Sequence, residues 1–359
     1  AAGLTSALAN TAVGRIVLAP GTYYLTAELS VVRSVVLEAA VAGSVVLDGG
    51  NAFRVLNVNP GSSGVVQLIG LNITGGQSSD GGGVLIAGGI VSIVSSQIYS
   101  NRVYGGGGGV GVSGGTVTIT SSSIYGNTAG PDYPGSGGGV IVGGGATVTI
   151  TSSSITGNTA YSGGGVYIWP STVTITSSSI SGNTAPYGGG VYVNSDRVTI
   201  TSSSITGNAA SYGGGVHVNT GNVAFIRCDI DNGGNNVYVR HSEGATACSF
   251  GMILTGLVGT VSTCPAPAPL SPPPSPPSPP RLPPSPSPPP YPPGTAAVST
   301  AAGLTSALAN TAVGRIVLAS GTYYLTAELS ITRSVVLEAA VAGSVVLHAQ
   351  ASSSSPRRV

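Results

Sequence analysis

The sequence predicts an all-β chain wound as a parallel β-helix. It does so through a repeat of about 25 residues, strict period-two alternation inside that repeat, and Gly and Asn corners at fixed places. The unit reads GGGVYIWPSTVTITSSSISGNTAPY from Gly163 and GGGVYVNSDRVTITSSSITGNAASY from Gly188. Val173, Val198 and Val223 fall 25 positions apart, and Val66, Val91, Val117 and Val148 keep the same beat, stretched by insertions. Self-similarity at this period marks a solenoid, in which each coil hides its apolar face only by stacking on its neighbours.

Within a unit, Thr172-Val173-Thr174-Ile175-Thr176 alternates apolar and hydroxyl residues, the signature of a half-buried strand. Val191-Tyr192-Val193 and the shorter Ser179-Ile180 alternate likewise, and no segment carries helical spacing. Three short strands per coil follow, with Val191, Val193, Val198, Ile200 and Ile205 facing inward. The triplet Gly188-Gly189-Gly190 recurs at 81–83, 137–139, 163–165 and 213–215, where a tight corner needs backbone freedom. Asn127, Asn158, Asn183 and Asn208 recur in the I-x-[GS]-N corner, placed to pass amide hydrogen bonds from coil to coil. A polar binding row is the other reading of these Asn.

The GGGV and I-x-G-N-T-A elements resemble the repeat of the chlamydial polymorphic outer membrane proteins, a right-handed pectin-lyase-like β-helix repeat also found in algal surface proteins. The resemblance covers roughly residues 50 to 240. The segment Gly14 to Tyr23, GRIVLAPGTY, is similar to the first coil of pectin-lyase-like domains. This implies a short amphipathic cap helix over Leu4 to Asn10, shielding the bare edge of the first coil. The organisation expected is a cap with first coils at 1–50 and β-helix repeats with their closure at 51–264. About eight to ten coils at ~4.8 Å each make a rod.

Cys228, Cys248 and Cys264 cluster at the end of the repeats. Their spacing lacks a CxxC or Cys/His metal pattern, and one disulfide with a third free or intermolecular thiol is expected, the pair left open. Residues 265–294 then turn Pro/Ser-rich. Contiguous proline fixes φ and removes donors, so a polyproline II spacer is expected, about 90 Å long at ~3.1 Å per residue. Such blocks look like the hydroxyproline-rich modules of green-algal and plant wall glycoproteins. That resemblance implies O-glycosylation at Pro272, Pro273, Pro274, Pro276, Pro277, Pro279, Pro280, Pro283, Pro284, Pro286, Pro288, Pro289, Pro290, Pro292 and Pro293. The competing reading is an SH3-type ligand for a cytosolic partner. A single N-glycosylation sequon occupies Asn72-Ile73-Thr74.

After the spacer, 301–347 repeats 1–47 with three differences: Pro20 becomes Ser320, Val31 becomes Ile331 and Val32 becomes Thr332. Residues 348–359 form a tail. Apolar strands in so short a piece are not expected to bury themselves. The copy is either the start of a further repeat unit or a segment that docks on a β-helix end. Head-to-tail joining of this kind generates filaments, so the expected partner is a second copy of the chain, besides covalent glycans and possible polysaccharide.

Of 359 residues only 6% are charged, none is lysine, and the formal net charge is +1. No electrostatic footprint for nucleic acid or an anionic membrane follows. The longest near-apolar stretch, 250–261, is too short and Gly-broken to span a bilayer. The chain opens without Met or a leader, as expected of a mature protein or fragment. An extracellular, cell-surface or cell-wall location is expected.

Pectin-lyase-like enzymes need clustered acids, yet Asp48, Asp80, Asp132, Asp196, Asp229 and Asp231 are scattered over different coils. Only Asp229-x-Asp231 pairs on one face, with Arg227 and Arg240 nearby in sequence, either a small Ca²⁺ or sugar site or a solvated terminal coil. The chain is therefore expected not to be an enzyme and to hold no cofactor or metal. Thr118, Thr149, Thr174 and Thr199 make an outward T-x-T lattice like an ice-binding face, or simply an exposed strand, with Arg197 and the 31-residue step from Thr118 to Thr149 expected to disturb it. Tyr167, Tyr192, His217 and Tyr238 fall one per coil after the GGG corner and are the candidate binding residues, suited to sugar rings or a lateral strand. The function expected is a structural extracellular glycoprotein rod assembling head to tail. A carbohydrate-binding or adhesion module through the Tyr stripe is the alternative, with a polysaccharide lyase or hydrolase, or an ice-binding protein, ranked behind it.

Overall fold

Alternation and corner chemistry together wind the described residues between 2 and 263 into a parallel β-solenoid of about 10 turns. The structure is a computed structural model. It describes residues 2–130, 135–240, 245–250, 257–259, 261–263, 295–319, 321–325, 331, 335–339 and 345–349. The proline spacer and Cys264 lie outside the described residues.

Each regular coil has three strands, as in Val166–Ile168, Thr172–Thr176 and Ser179–Ser181. Every strand pairs in parallel with its equivalents one coil before and after. Val66, Val91, Val117, Val148, Val173, Val198 and Val223 form one continuous column, directly paired at each step. None of them is more than 2% exposed, so the column is a fully dehydrated aliphatic stack. The 31-residue step leaves this register intact: Thr116–Thr120 faces Thr147–Thr151 residue for residue. The expected disturbance of the lattice there is absent, because the strands on either side of the longer step keep their register. Arg197 does interrupt the outer threonine row, opposite Thr172.

Two polar ladders run inside the corners. Asn101, Asn127, Asn158, Asn183 and Asn208 each donate both backbone N–H and side-chain Nδ2 to Oδ1 of the next Asn, ending at Asn232. Nδ2 also donates to a carbonyl of the preceding coil, so buried amides stay satisfied. The second ladder uses serine. The amides of Ser96, Ser122, Ser153 and Ser178 each donate to Oγ of the next Ser at 3.1 Å, up to Ser203. Just before each ladder serine, Ser95, Ser121, Ser152, Ser177 and Ser202 hold φ between 48° and 50°. Cys228 closes the column where the next serine would stand: its thiol donates to the Ile200 carbonyl at 3.1 Å and receives the Ser203 amide.

The GGG corner is a place where side chains do not fit. A Cβ on Gly189 would stand 2.6 Å from the Ala209 carbonyl and 2.7 Å from that of Gly214. At the other end, helix Ala2–Ala9 covers the first coil with Leu4 and Leu8. Arg33 fixes it there, donating to the carbonyls of Ala7, Leu8 and Val13.

The second unit spans 268–359. Helix Ala301–Ala309 is capped by Thr300, which accepts from the Gly303 amide at 3.1 Å. Arg315–Leu318 pairs with Val336–Ala339 in the same register as Arg15–Leu18 with Val36–Ala39. Leu304, Ile316, Leu318 and Tyr323 are buried together. This corrects the expectation that so short a segment buries nothing. Strand Thr295–Val298, upstream of the copied sequence, pairs with Arg315–Leu318 and supplies a further layer, and the Tyr323 hydroxyl ties to its Val298 carbonyl at 2.7 Å.

Candidate aromatic cleft

Parallel pairing in register places residues 25 apart directly above one another, and aromatic side chains at such positions must stack. Tyr167, Tyr192, His217 and Tyr238 form one column with ring centroids 5.0, 4.9 and 4.8 Å apart and interplanar angles of 4°, 19° and 30°. All four candidate residues of the stripe are thus brought together. Beside them stands a second column not anticipated from the sequence, Tyr161, Tyr187 and Tyr212. Its signal was the Tyr closing the repeats just before GGG at 188 and 213. Tyr161 breaks that pattern because Ser162 intervenes and pairs with Tyr187 instead.

The columns meet edge to face: Tyr187 on His217 at 85° and Tyr212 on Tyr238 at 69°. Between them lies a cleft of about 420 Å³, lined also by Asn219 and Arg240. Arg240 Nη1 donates to Asn219 Oδ1 at 2.9 Å, and no carboxylate lines the cleft among the described residues. Burial pushes the Tyr192 phenol up to about 12, with Tyr167 adding to the rise and Arg240 opposing it. Burial also pulls His217 down to about 4, helped by Arg240 and opposed by the Tyr212 carbonyl. A neutral imidazole therefore continues the tyrosine stack.

Ring faces along each column are spent on one another, so the cleft offers ring edges and phenol hydroxyls. A larger trough, about 610 Å³, runs over the serine corners from Ser95 to Ser204 and is lined by serine and Gln97 alone. Aromatic edges, donors and a cation together single out the smaller cleft.

Other sequence candidates fare differently. Asn72 is 8% exposed, and its Nδ2, the nitrogen a glycan would need, donates to the Gly43 carbonyl at 2.8 Å. The sequon expectation is corrected: strand pairing turns this side chain into the turn above Gly43. Asp229 and Asp231 share one exposed face, and Arg240 Nη1 reaches Asn219 Oδ1 on another coil. Among the described residues no three His, Cys, Asp or Glu converge on one point. Cys248 is disulfide-bonded and Cys228 is a buried free thiol, which resolves which cysteine is left over.

Residues 54–209 match the family model described as right handed beta helix region. No curated protein matches the chain in sequence. Among solved structures, the crystal structure of pectate lyase Pel9A is similar at 16% identity and a TM-score of 0.43, over 72% of this chain and 71% of that one. The fold is a right-handed parallel β-helix. The expectation that the chain is not an enzyme is corrected: the right-handed β-helix fold does not by itself exclude catalysis.

Proposed function

We propose that this chain is a structural rod of an extracellular surface or cell wall, built to join other copies of itself. The observation that carries the reading is the continuity of its ladders. Asn and Ser columns, an aliphatic column and two aromatic columns pass through successive coils without a hinge between them. These links recur over many successive coils, so bending at one corner strains several of them together. The disulfide at Cys248 supports an oxidising compartment. The near-copy of 1–47 at 301–347 supports a modular, serially joined architecture.

Electron microscopy of the purified full chain across a concentration series tests this. Strings or fibrils lengthening with concentration are expected. Single dispersed particles at every concentration overturn it.

A further inference from the structure

We propose that the aromatic cleft takes the proline-rich stretch 271–280 of a second copy of this chain, bound as a polyproline II helix lying along the solenoid axis. The inference rests on the self-joining rod and names the contact that joins it.

The chemistry on each side is complementary. Proline has no N–H, so a run such as SPPPSPPSPP offers almost only acceptors along its backbone. The cleft offers donors. The phenol hydroxyls of Tyr187, Tyr192, Tyr212 and Tyr238 have no hydrogen-bond partner among the described residues. Where they carry no glycan, pyrrolidine rings are rigid and apolar, and ring edges between two aromatic columns give them a dry wall at low entropic cost. The stretch carries no charge and the cleft no carboxylate, so nothing charged is desolvated apart from the rim of Arg240.

The periods also agree. One turn of polyproline II takes three residues and rises about 9.3 Å. Two steps of the aromatic column, Tyr192 to His217 and His217 to Tyr238, are 4.9 and 4.8 Å. One turn of the ligand thus spans two coils. Ser275 and Ser278 lie one turn apart, so both fall on a single edge of that helix, leaving the Pro276-Pro277 and Pro279-Pro280 pairs to face the cleft. A polysaccharide is the other occupant such a cleft invites, and the test separates the two.

The experiment titrates the full chain with an unmodified, fluorescently labelled peptide of residues 271–280, followed by anisotropy, beside a control peptide in which every Pro is Ala. Saturable binding of the proline peptide alone is expected. Tyr212→Ala, at a half-exposed position, should weaken it roughly tenfold or more, and Tyr192→Phe, which keeps the ring, by less. Asp231→Asn should leave it unchanged, and circular dichroism checks that each variant is folded. No saturation, equal binding of the alanine peptide, or a cleft that binds oligosaccharides while ignoring the peptide overturns the proposal. If the full chain still forms fibrils while the peptide fails to bind, only this contact falls. If the peptide binds and no fibrils form, the rod reading falls instead.

Discussion

Asn183 is joined to Asn208 twice: its backbone amide and its side-chain Nδ2 both donate to the one Oδ1 of Asn208, each at 2.9 Å. A single oxygen thus fixes both the backbone and the rotamer of the residue one coil away. Asn183→Leu should orphan the same pair of donors on Asn158. Each unpaired buried group costs about 1–3 kcal/mol, so a total loss of about 2–6 kcal/mol is expected. Chemical denaturation and hydrogen exchange localised to residues 158–208 check it, and uniform protection through that segment would contradict it.

Glycines needed only for a left-handed backbone should differ sharply in tolerance from those wedged between carbonyls. Gly157 has φ 64° and open space where a Cβ would stand, so Gly157→Ala should cost only about 1 kcal/mol of left-handed strain. Gly189→Ala drives a Cβ into two carbonyl oxygens and should cost about 3 kcal/mol or more. Comparable thermal midpoints for the two variants would refute the corner geometry.

His217 makes stability depend on pH. Its folded pKa of about 4 lies below the ordinary value near 6.5, so between those values the unfolded chain binds the extra proton. Its contribution is fully present above pH 6.5, is lost as pH falls toward 4, and changes no further below. His217→Tyr should flatten that part of the profile while keeping the stack. Thermal unfolding at pH 4.5 and 7.5, wild type against variant, is the measurement.

Cys228 ends a serine ladder and behaves as a serine would. Burial raises its thiol pKa, and its sulfur is hydrogen-bonded on both sides. The folded chain should react with a disulfide reagent at this thiol only on unfolding. Cys228→Ser should shift stability by about 0.5 kcal/mol or less, whereas Cys228→Val, which orphans the Ser203 amide, should cost about 1–2 kcal/mol. Denaturant titration of the two variants beside wild type distinguishes them.

The solenoid was legible because period-two alternation fixes which face of each strand is buried, and Val191, Val193, Val198, Ile200 and Ile205 are all buried as read. Positions set by hydrogen-bond register were harder. Asn72 looked like a surface sequon because nothing local shows the turn that covers it. Tyr161 hid the second aromatic column through a one-residue slip. Arg240 lies close in sequence to Asp231 but reaches across to Asn219 on another coil, a contact that linear distance misrepresents. The second unit was underestimated because the strand at 295–298 lies before the copied sequence begins.

The corner between Thr128–Ala129 and Val140–Val142 absorbs the longer coil without moving a single partner on either side. Winding is therefore indifferent to chain length at that point. An epitope, a tag or a whole foreign loop spliced there should leave the spool wound, so this corner is a natural port for decorating an array of such units at regular intervals.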